Sequence, residues 1–411
     1  MGLVTHKARA PEGRAGLPRP RGLSHAATPT SHGRMKRLGL LPLAFVPVIL
    51  LACGESTPAP VSPPTENNSV ALTPPPTATE APPPKPAEPT EEEKKKAEQQ
   101  KQLAADFAKL EADNKTESAR WTPALHADAK ALAEKAYPNG KAAIAAAIAG
   151  KHRRPGHADR DKQRHPAETL AFFGVEPGMT VIEYGPGEGW YTELLAPALA
   201  KKGKLIATNG DANGPVTERS TYYAKRYKTF LDMAPEIYGK VETVSPDPKA
   251  PNVGPDNSAD MVLLARGIHG MINNGRFEDW LGAFHKVLKP GGILAIEQHR
   301  AKPDAKAEES AKKGYVPEAF VIEKAKAAGF ELVAKSEINA NAKDTKDYPD
   351  GVWNLPPTFQ AGDKDKDKYS AIGESDRMTI KLKKVAPKAA ATTTTPAKPT
   401  TPATPAAPAK K

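Results

Sequence analysis

The sequence predicts an α/β fold, a doubly wound sheet with helices on both faces, and three observations predict it. Residues 181–192 read Val-Ile-Glu-Tyr-Gly-Pro-Gly-Glu-Gly-Trp-Tyr-Thr. An apolar run is closed by an acid, Glu183, and Gly185, Pro186, Gly187 and Gly189 follow. Leu194, Leu195 and Leu199 then share one helical face, so the segment reads as strand, tight glycine turn and helix. Second, short apolar runs alternate with helix-period segments over residues 159–384, the pattern of strands joined by crossover helices. Third, Lys289-Pro290-Gly291-Gly292 separates a helical pattern from another apolar run, a turn into a further strand.

In chain order, residues 91–113 are highly charged and poor in breakers, with Leu103, Phe107 and Leu110 at helical spacing. This helix has one thin apolar stripe, suited either to packing on the domain or to a solvated spacer. Residues 123–136 and 141–149 are alanine-rich helices separated by the turn Pro138-Asn139-Gly140, with Trp121 as their anchor on the domain. Residues 166–173 form a helix with Gly174 beyond its end, and Pro177-Gly178 turns into the first strand, 179–183. The glycine loop and its helix occupy 185–201. Further strands are expected at 204–208, 240–244, 260–265, 293–297, 332–337 and 378–382, and helices at 222–233, 277–288 and 316–328.

Composition limits what lies outside this region. Residues 53–90 are dominated by Pro, Thr, Ala and Glu, and 385–411 by Thr, Pro, Ala and Lys. Neither segment has the apolar content to build a core, so both are expected to be disordered. The net charge of +11 sits at the ends. Residues 1–37 hold eight Lys or Arg against Glu12, and the tail adds Lys388, Lys398, Lys410 and Lys411. The span 38–384 is left near neutral, and no nucleic-acid partner is expected. The run Lys151-His152-Arg153-Arg154 reads as a solvated loop.

Met35-Lys36-Arg37 precedes an apolar stretch, 38–52, that is short for a membrane span of ~20 residues and is interrupted by Pro42 and Pro47. It ends Leu50-Leu51-Ala52-Cys53, which resembles the lipobox of bacterial lipoproteins. That resemblance implies a signal peptide over 35–52, cleavage before Cys53 and lipid on its sulfur. The protein would then be attached to the membrane through Cys53, lipid-anchored in the bacterial cell envelope and facing the periplasm. Cys53 is the only cysteine, which excludes an intramolecular disulfide. Residues 1–34 are read as a misassigned or disordered extension, with a long basic leader as the alternative.

The spacing of the glycine loop separates two cofactor classes. A dinucleotide fingerprint would place its third glycine at Trp190, whose indole would block close helix–strand packing. The pattern E-x-G-x-G-x-G resembles instead motif I of the class I S-adenosylmethionine-dependent methyltransferases. Residues 288–294, Leu-Lys-Pro-Gly-Gly-Ile-Leu, are similar to that family's L-[KR]-P-G-G-x-L turn, and Ala328-Gly329-Phe330 to its A-G-F before the sixth strand. The resemblance covers 159–384 and implies a Rossmann-like methyltransferase sheet with a helical segment, 91–158, before it. More narrowly, Arg164 to Glu168, Gly189 to Glu193 and Gly373 to Arg377 resemble a group of exported bacterial methyltransferases.

The resemblance implies S-adenosylmethionine as cofactor, with Glu183 meeting its positive methionine end and Gly185, Pro186, Gly187 and Gly189 letting the backbone approach. Tyr191 is expected to border the pocket. At the end of the second strand Asn209 stands where an acid is usual, with Asp211 two residues later, and Asp247 is a candidate for the adenine amino group. Ends of the fourth and fifth strands face the crevice of such a fold, so Arg266, His269 and His299 are candidates for the acceptor side. His269 or His299 would take a proton; a structural histidine is the alternative for each. Arg160, Asp161 and Arg164 are read as a lid or, alternatively, as an ion-pair cluster. No ligand spacing suggests a metal. Methyl transfer to an unknown acceptor is the leading reading, and the alternative is a non-catalytic envelope lipoprotein that keeps the fold.

Overall fold

The computed structural model describes residues 89–385. The lipobox cysteine, the signal segment, the Pro/Thr linker and most of the tail lie outside them. Three helices open the described region. The first, α1 (Glu91–Arg120), is capped by Thr90 and Glu93 in a reciprocal capping box. It runs to Arg120 because no Gly or Pro interrupts it until Pro123. Its stripe is used for packing: Leu103, Phe107 and Leu110 cover Tyr222, and the Phe107 and Tyr222 rings meet edge-on at 5.3 Å. Next come α2 (Pro123–Glu134), capped by Thr122, and α3 (Gly140–Ile148), capped by Asn139.

These alanine-rich helices are part of the domain core. Ala129, Ala133, Ala143, Ile144 and Ala147 pack in one cluster with Leu170, Phe173, Leu194 and Leu195. Small side chains let α3 lie close against its neighbours, and a Cβ on Gly140 would fall 1.7 Å from the Val175 carbonyl oxygen. Short helices α4 (Pro155–Ala158) and α5 (Asp161–Arg164) lead into α6 (Pro166–Phe173).

The sheet then builds in alternation. It comprises β1 (Thr180–Tyr184), α7 (Thr192–Leu199), β2 (Lys204–Thr208), α8 (Arg219–Asp232), α9 (Pro235–Tyr238), β3 (Glu242–Val244) and β4 (Ala259–Ala265). It continues with α10 (Ile268–Asn273), α11 (Phe277–Val287), β5 (Leu288–His299), α12 (Ala307–Ser310), α13 (Glu318–Ala327), β6 (Phe330–Ser336), α14 (Lys366–Ile372) and β7 (Arg377–Lys384). Strand order is β3-β2-β1-β4-β5-β7-β6. The first five are parallel, and β7 is antiparallel to both β5 and β6. Alternate residues along the strands feed two cores, the expected doubly wound arrangement. Val181, Met261, Leu263 and Ala295 face the α2, α3, α6 and α7 side, while Ile182, Val262, Leu264 and Ile296 face α10, α11 and α13.

Two expected boundaries move for identifiable reasons. The Lys289-Pro290-Gly291-Gly292 turn lies inside β5, which pairs Leu288 with Ala259 and then Ile293 with Met261 across a register shift. Gly291, at φ +79°, absorbs that irregularity. The helix expected from 316 starts at Glu318, because Pro317 is its N-cap and Val316 bridges to Arg300. The strand order reverses between β1 and β4, which opens a crevice at the carboxyl ends of these strands.

Candidate functional site at the strand ends

The three glycines after β1 divide by role. Gly185 and Gly187 have φ of +57° and +59°, and a Cβ on either would meet nothing within 4 Å. Both turn the backbone into open space beside the crevice. Gly189, at φ +87°, serves packing instead, since a Cβ there would lie 2.5 Å from the Phe230 ring. Pro186 is buried between them. Beside this cradle is a cleft of about 260 Å³ lined by Tyr184, Gly185, Asn209, Pro246, Pro248 and Trp280. Tyr223 belongs both to this cleft and to an open groove of about 960 Å³ that includes Trp353 and Phe359.

Glu183 is buried at the end of β1, where its Oε2 accepts from the Thr192 hydroxyl at 2.7 Å. That hydroxyl also meets the Tyr227 hydroxyl at 3.0 Å. Burial pushes the Glu183 carboxyl up to about 7, against smaller opposing effects of Thr192 and Arg266. Asn209 accepts from the Gly210 amide through Oδ1, and its buried Nδ2 has no partner among the described residues. An unpartnered buried donor at the cleft wall fits a ligand hydroxyl.

Asp211 and Asp247 are not brought into this cleft. Asp211 accepts from the Asn213 amide and Asp247 from the Lys249 amide, each at 2.8 Å within its own loop. The wall near Asp247 is apolar because the flanking Pro246 and Pro248 face the cleft instead. Tyr191 does not border the cleft either. Its ring is buried and its hydroxyl donates to Glu297, because the residue enters α7 facing the sheet.

Arg160, Asp161 and Arg164 are tied down rather than free. Asp161 accepts from Arg153 at 3.0 Å. Arg160 and Arg164 bind Glu374, and the Arg164 guanidinium lies 4.8 Å from the Trp190 ring centre. Trp190 in turn donates to the His157 carbonyl at 2.9 Å. The α4–α5 segment is thus clamped on the glycine loop, and the ion-pair alternative describes it. Glu188, not singled out from sequence, helps hold it. Burial alone would raise its carboxyl, but His157 and Arg226 outweigh this and bring it down to about 2.

His269 and His299 do come together at the ends of β4 and β5, with ring centres 5.9 Å apart. The Gln298 amide is 3.4 Å from His269 Nδ1, and the Ser375 hydroxyl is 2.5 Å from His299 Nδ1. Burial brings His269 down to about 4 and, with the charges of nearby side chains, pushes His299 well below its ordinary value. Both are therefore neutral at pH 7, and their surroundings resist protonation. Arg266 ends β4 with φ +56°, a left-handed backbone uncommon for a side-chain-bearing residue, and bonds Glu297 through Nη1. Glu297, Glu374 and Arg377 were missed as site residues. The available signal was a carboxylate, Glu297, inside the apolar run of β5.

No family model matches the chain. It is 30% identical over 125 residues to the ribosomal RNA large subunit methyltransferase E of Acidithiobacillus ferrooxidans, covering 30% of this chain and 52% of that protein. It is 30% identical over 129 residues to the ubiquinone/menaquinone biosynthesis C-methyltransferase of Ectopseudomonas mendocina, covering 31% of this chain and 44% of that one. The chain thus spans about half the length of these curated relatives. Among solved structures, a SAM-dependent methyltransferase from Aquifex aeolicus superposes with a TM-score of 0.38 at 18% identity, covering 55% of this chain and 93% of that one.

Proposed function

We propose that this protein transfers a methyl group from S-adenosylmethionine to an acceptor. The observation that carries the reading is the left-handed turn at Gly185 and Gly187 beside a cleft lined by Tyr184, Gly185, Asn209 and Trp280, with the Asn209 Nδ2 buried and unpartnered behind its wall. The residues present fit the cofactor. Gly185 and Gly187 allow backbone approach, Glu183 supplies charge complementary to an ammonium, and Asn209 donates to a ribose hydroxyl. Tyr184, Trp280, Pro246 and Pro248 offer apolar walls to a base. The cofactor supplies an activated methyl group; the protein supplies position and electrostatics. His299 Nδ1 bonds the Ser375 hydroxyl, and its neutral imidazole offers a hydrogen-bonding group to the acceptor. Curated relatives that are methyltransferases support the reading.

Calorimetric titration with S-adenosylmethionine and S-adenosylhomocysteine tests it. Gly187→Val is expected to abolish binding, because a branched side chain at φ +59° both fills the cradle and strains the turn, and circular dichroism of the variant checks that the rest of the fold remains. Unchanged binding by that variant would place the cofactor elsewhere. Asn209 Oδ1 already accepts from Gly210, and the group left without a partner is the Nδ2 donor. Asn209→Asp is expected to tighten S-adenosylhomocysteine binding on the order of 10-fold, the worth of one charged hydrogen bond. Weaker binding by the variant would show that the Nδ2 donor itself holds the ligand.

We further propose that the chain is lipidated at Cys53 and anchored in a bacterial cell envelope, on the support of Leu50-Leu51-Ala52-Cys53 behind a charged start and short apolar run. Cys53→Ala should abolish fatty-acid labelling and signal cleavage. Labelling that persists in the variant would overturn this.

A further inference from the structure

A continuous chain of ion pairs runs behind the site: Arg160 to Glu374, Glu374 to Arg164 and Arg377, Arg377 to Glu297, and Glu297 to Arg266. Four guanidiniums share two carboxylates, so every arginine has a partner and the network carries a formal excess of two positive charges. Its middle is buried: Arg377 is 1% exposed and Glu297 0%. Buried charge is retained where it is paired, so the excess must be met at the accessible ends. Those ends are Arg160 and Arg266, each with a side chain 21% exposed. Arg160 uses only Nε, and Arg266 only Nη1, on protein partners among the described residues. Their other nitrogens are free for a ligand.

Of the surrounding acids, Glu183 faces Arg266, but burial holds its carboxyl up at about 7, so it offsets the excess only in part. Glu188 is engaged by His157 and Arg226, and Tyr191 is a neutral donor to Glu297. The Arg266 backbone is held left-handed at φ +56° by its amide bond to the Glu297 carbonyl at 2.7 Å. Such a conformation at a side-chain-bearing residue is kept where it aims a functional group. Arg266 leaves β4 three residues before His269, and Glu297 precedes His299 by two on β5. The guanidinium thus sits on the side of the crevice where His269 and His299 meet.

We propose that the free ends of Arg160 and Arg266 bind an anionic group, a carboxylate or phosphate, of the methyl acceptor. This rests on the methyltransferase reading above. A planar fork of donors matches such oxyanions. The same chemistry is present in the cofactor's own carboxylate, so the experiment separates the two sources.

Inorganic phosphate is titrated into the full chain and followed by phosphorus NMR, with and without saturating S-adenosylhomocysteine. Saturable phosphate binding that persists in the S-adenosylhomocysteine complex is expected. Arg160→Gln and Arg266→Gln should each weaken it on the order of 10-fold, as loss of a charged hydrogen bond implies. Both should leave S-adenosylhomocysteine affinity within about threefold, and Arg160→Lys should restore part of the phosphate affinity. Arg160 is at an accessible end, so its variants carry the test should Arg266→Gln fail to fold. Displacement of phosphate by S-adenosylhomocysteine but not by 5′-methylthioadenosine, which lacks the carboxylate, would assign the site to the cofactor and overturn the proposal. Absent or variant-insensitive phosphate binding would overturn it too. Phosphate binding without any S-adenosylhomocysteine binding would remove the methyltransferase reading and the acceptor assignment together, whereas the converse removes the acceptor site alone.

Discussion

Glu183→Gln is expected to weaken S-adenosylmethionine binding on the order of 10- to 100-fold while making the unliganded protein more stable at pH 8. The first effect follows from the proposed contact of Glu183 with the ligand's ammonium, since loss of a charged hydrogen bond costs about 1.5–3 kcal/mol. The second follows from burial. The folded-state carboxyl is raised from 4.5 to about 7. Its stabilising contribution is therefore complete below pH 4.5 and is lost as the pH rises through 7. Over that window the wild type loses up to about 3 kcal/mol from this one group. Glutamine mimics the protonated acid and escapes the loss. Urea unfolding at pH 5 and pH 8 checks it: wild type and variant should converge at pH 5 and separate at pH 8. A variant less stable than wild type at pH 8 would show that the Thr192 bond needs the charged acceptor. Because a bound ammonium favours the ionised form, cofactor binding below pH 7 should also release a proton, visible as buffer-dependent heats in calorimetry.

Arg377→Met carries the largest expected loss of stability. Its guanidinium is 1% exposed and lies between Glu297 and Glu374, with a further bond to the Gln163 carbonyl. Methionine keeps much of the volume but leaves two carboxylates facing each other with one bridging cation fewer. Removing one partner from such a buried cluster costs about 3–5 kcal/mol. Adding Glu297→Gln to Arg377→Met should recover part of that loss, because it removes one of the stranded charges. Denaturant unfolding of the single and double variants measures both steps. Equal stability of wild type and Arg377→Met would show that the pairs contribute nothing net.

Much of this molecule was legible from its sequence, and the legible parts share a cause. The α/β alternation, the helix stop at Gly174 and the glycine loop all depend on local rules, namely side-chain periodicity and backbone permission at particular residues. Glu183 and Asn209 could be placed at strand ends for the same reason, since a strand's last residue is readable from where its apolar run stops. His269 and His299 were placed at the ends of the fourth and fifth strands by the same rule, but that their rings meet came only with the structure.

What the chain could not disclose by itself depended on contacts distant in sequence. Gly185 and Gly187 differ from Gly189 only because Phe230, some forty residues on, fills the space above the third. Arg160 and Arg164 became network members rather than a free lid because Glu374, more than two hundred residues away, returns beside them when β7 inserts between β5 and β6. Tyr191 turned inward for an equally remote partner, Glu297. Asp211 and Asp247 were candidates by position, but each satisfied its own loop's amides first. The sequence by itself determined which elements form and in what order, because that information is periodic and local. Tertiary structure decided how the charges behind the site meet, since apart from Glu374–Arg377 the pairs of that network join residues far apart in sequence, which no spacing along the chain encodes.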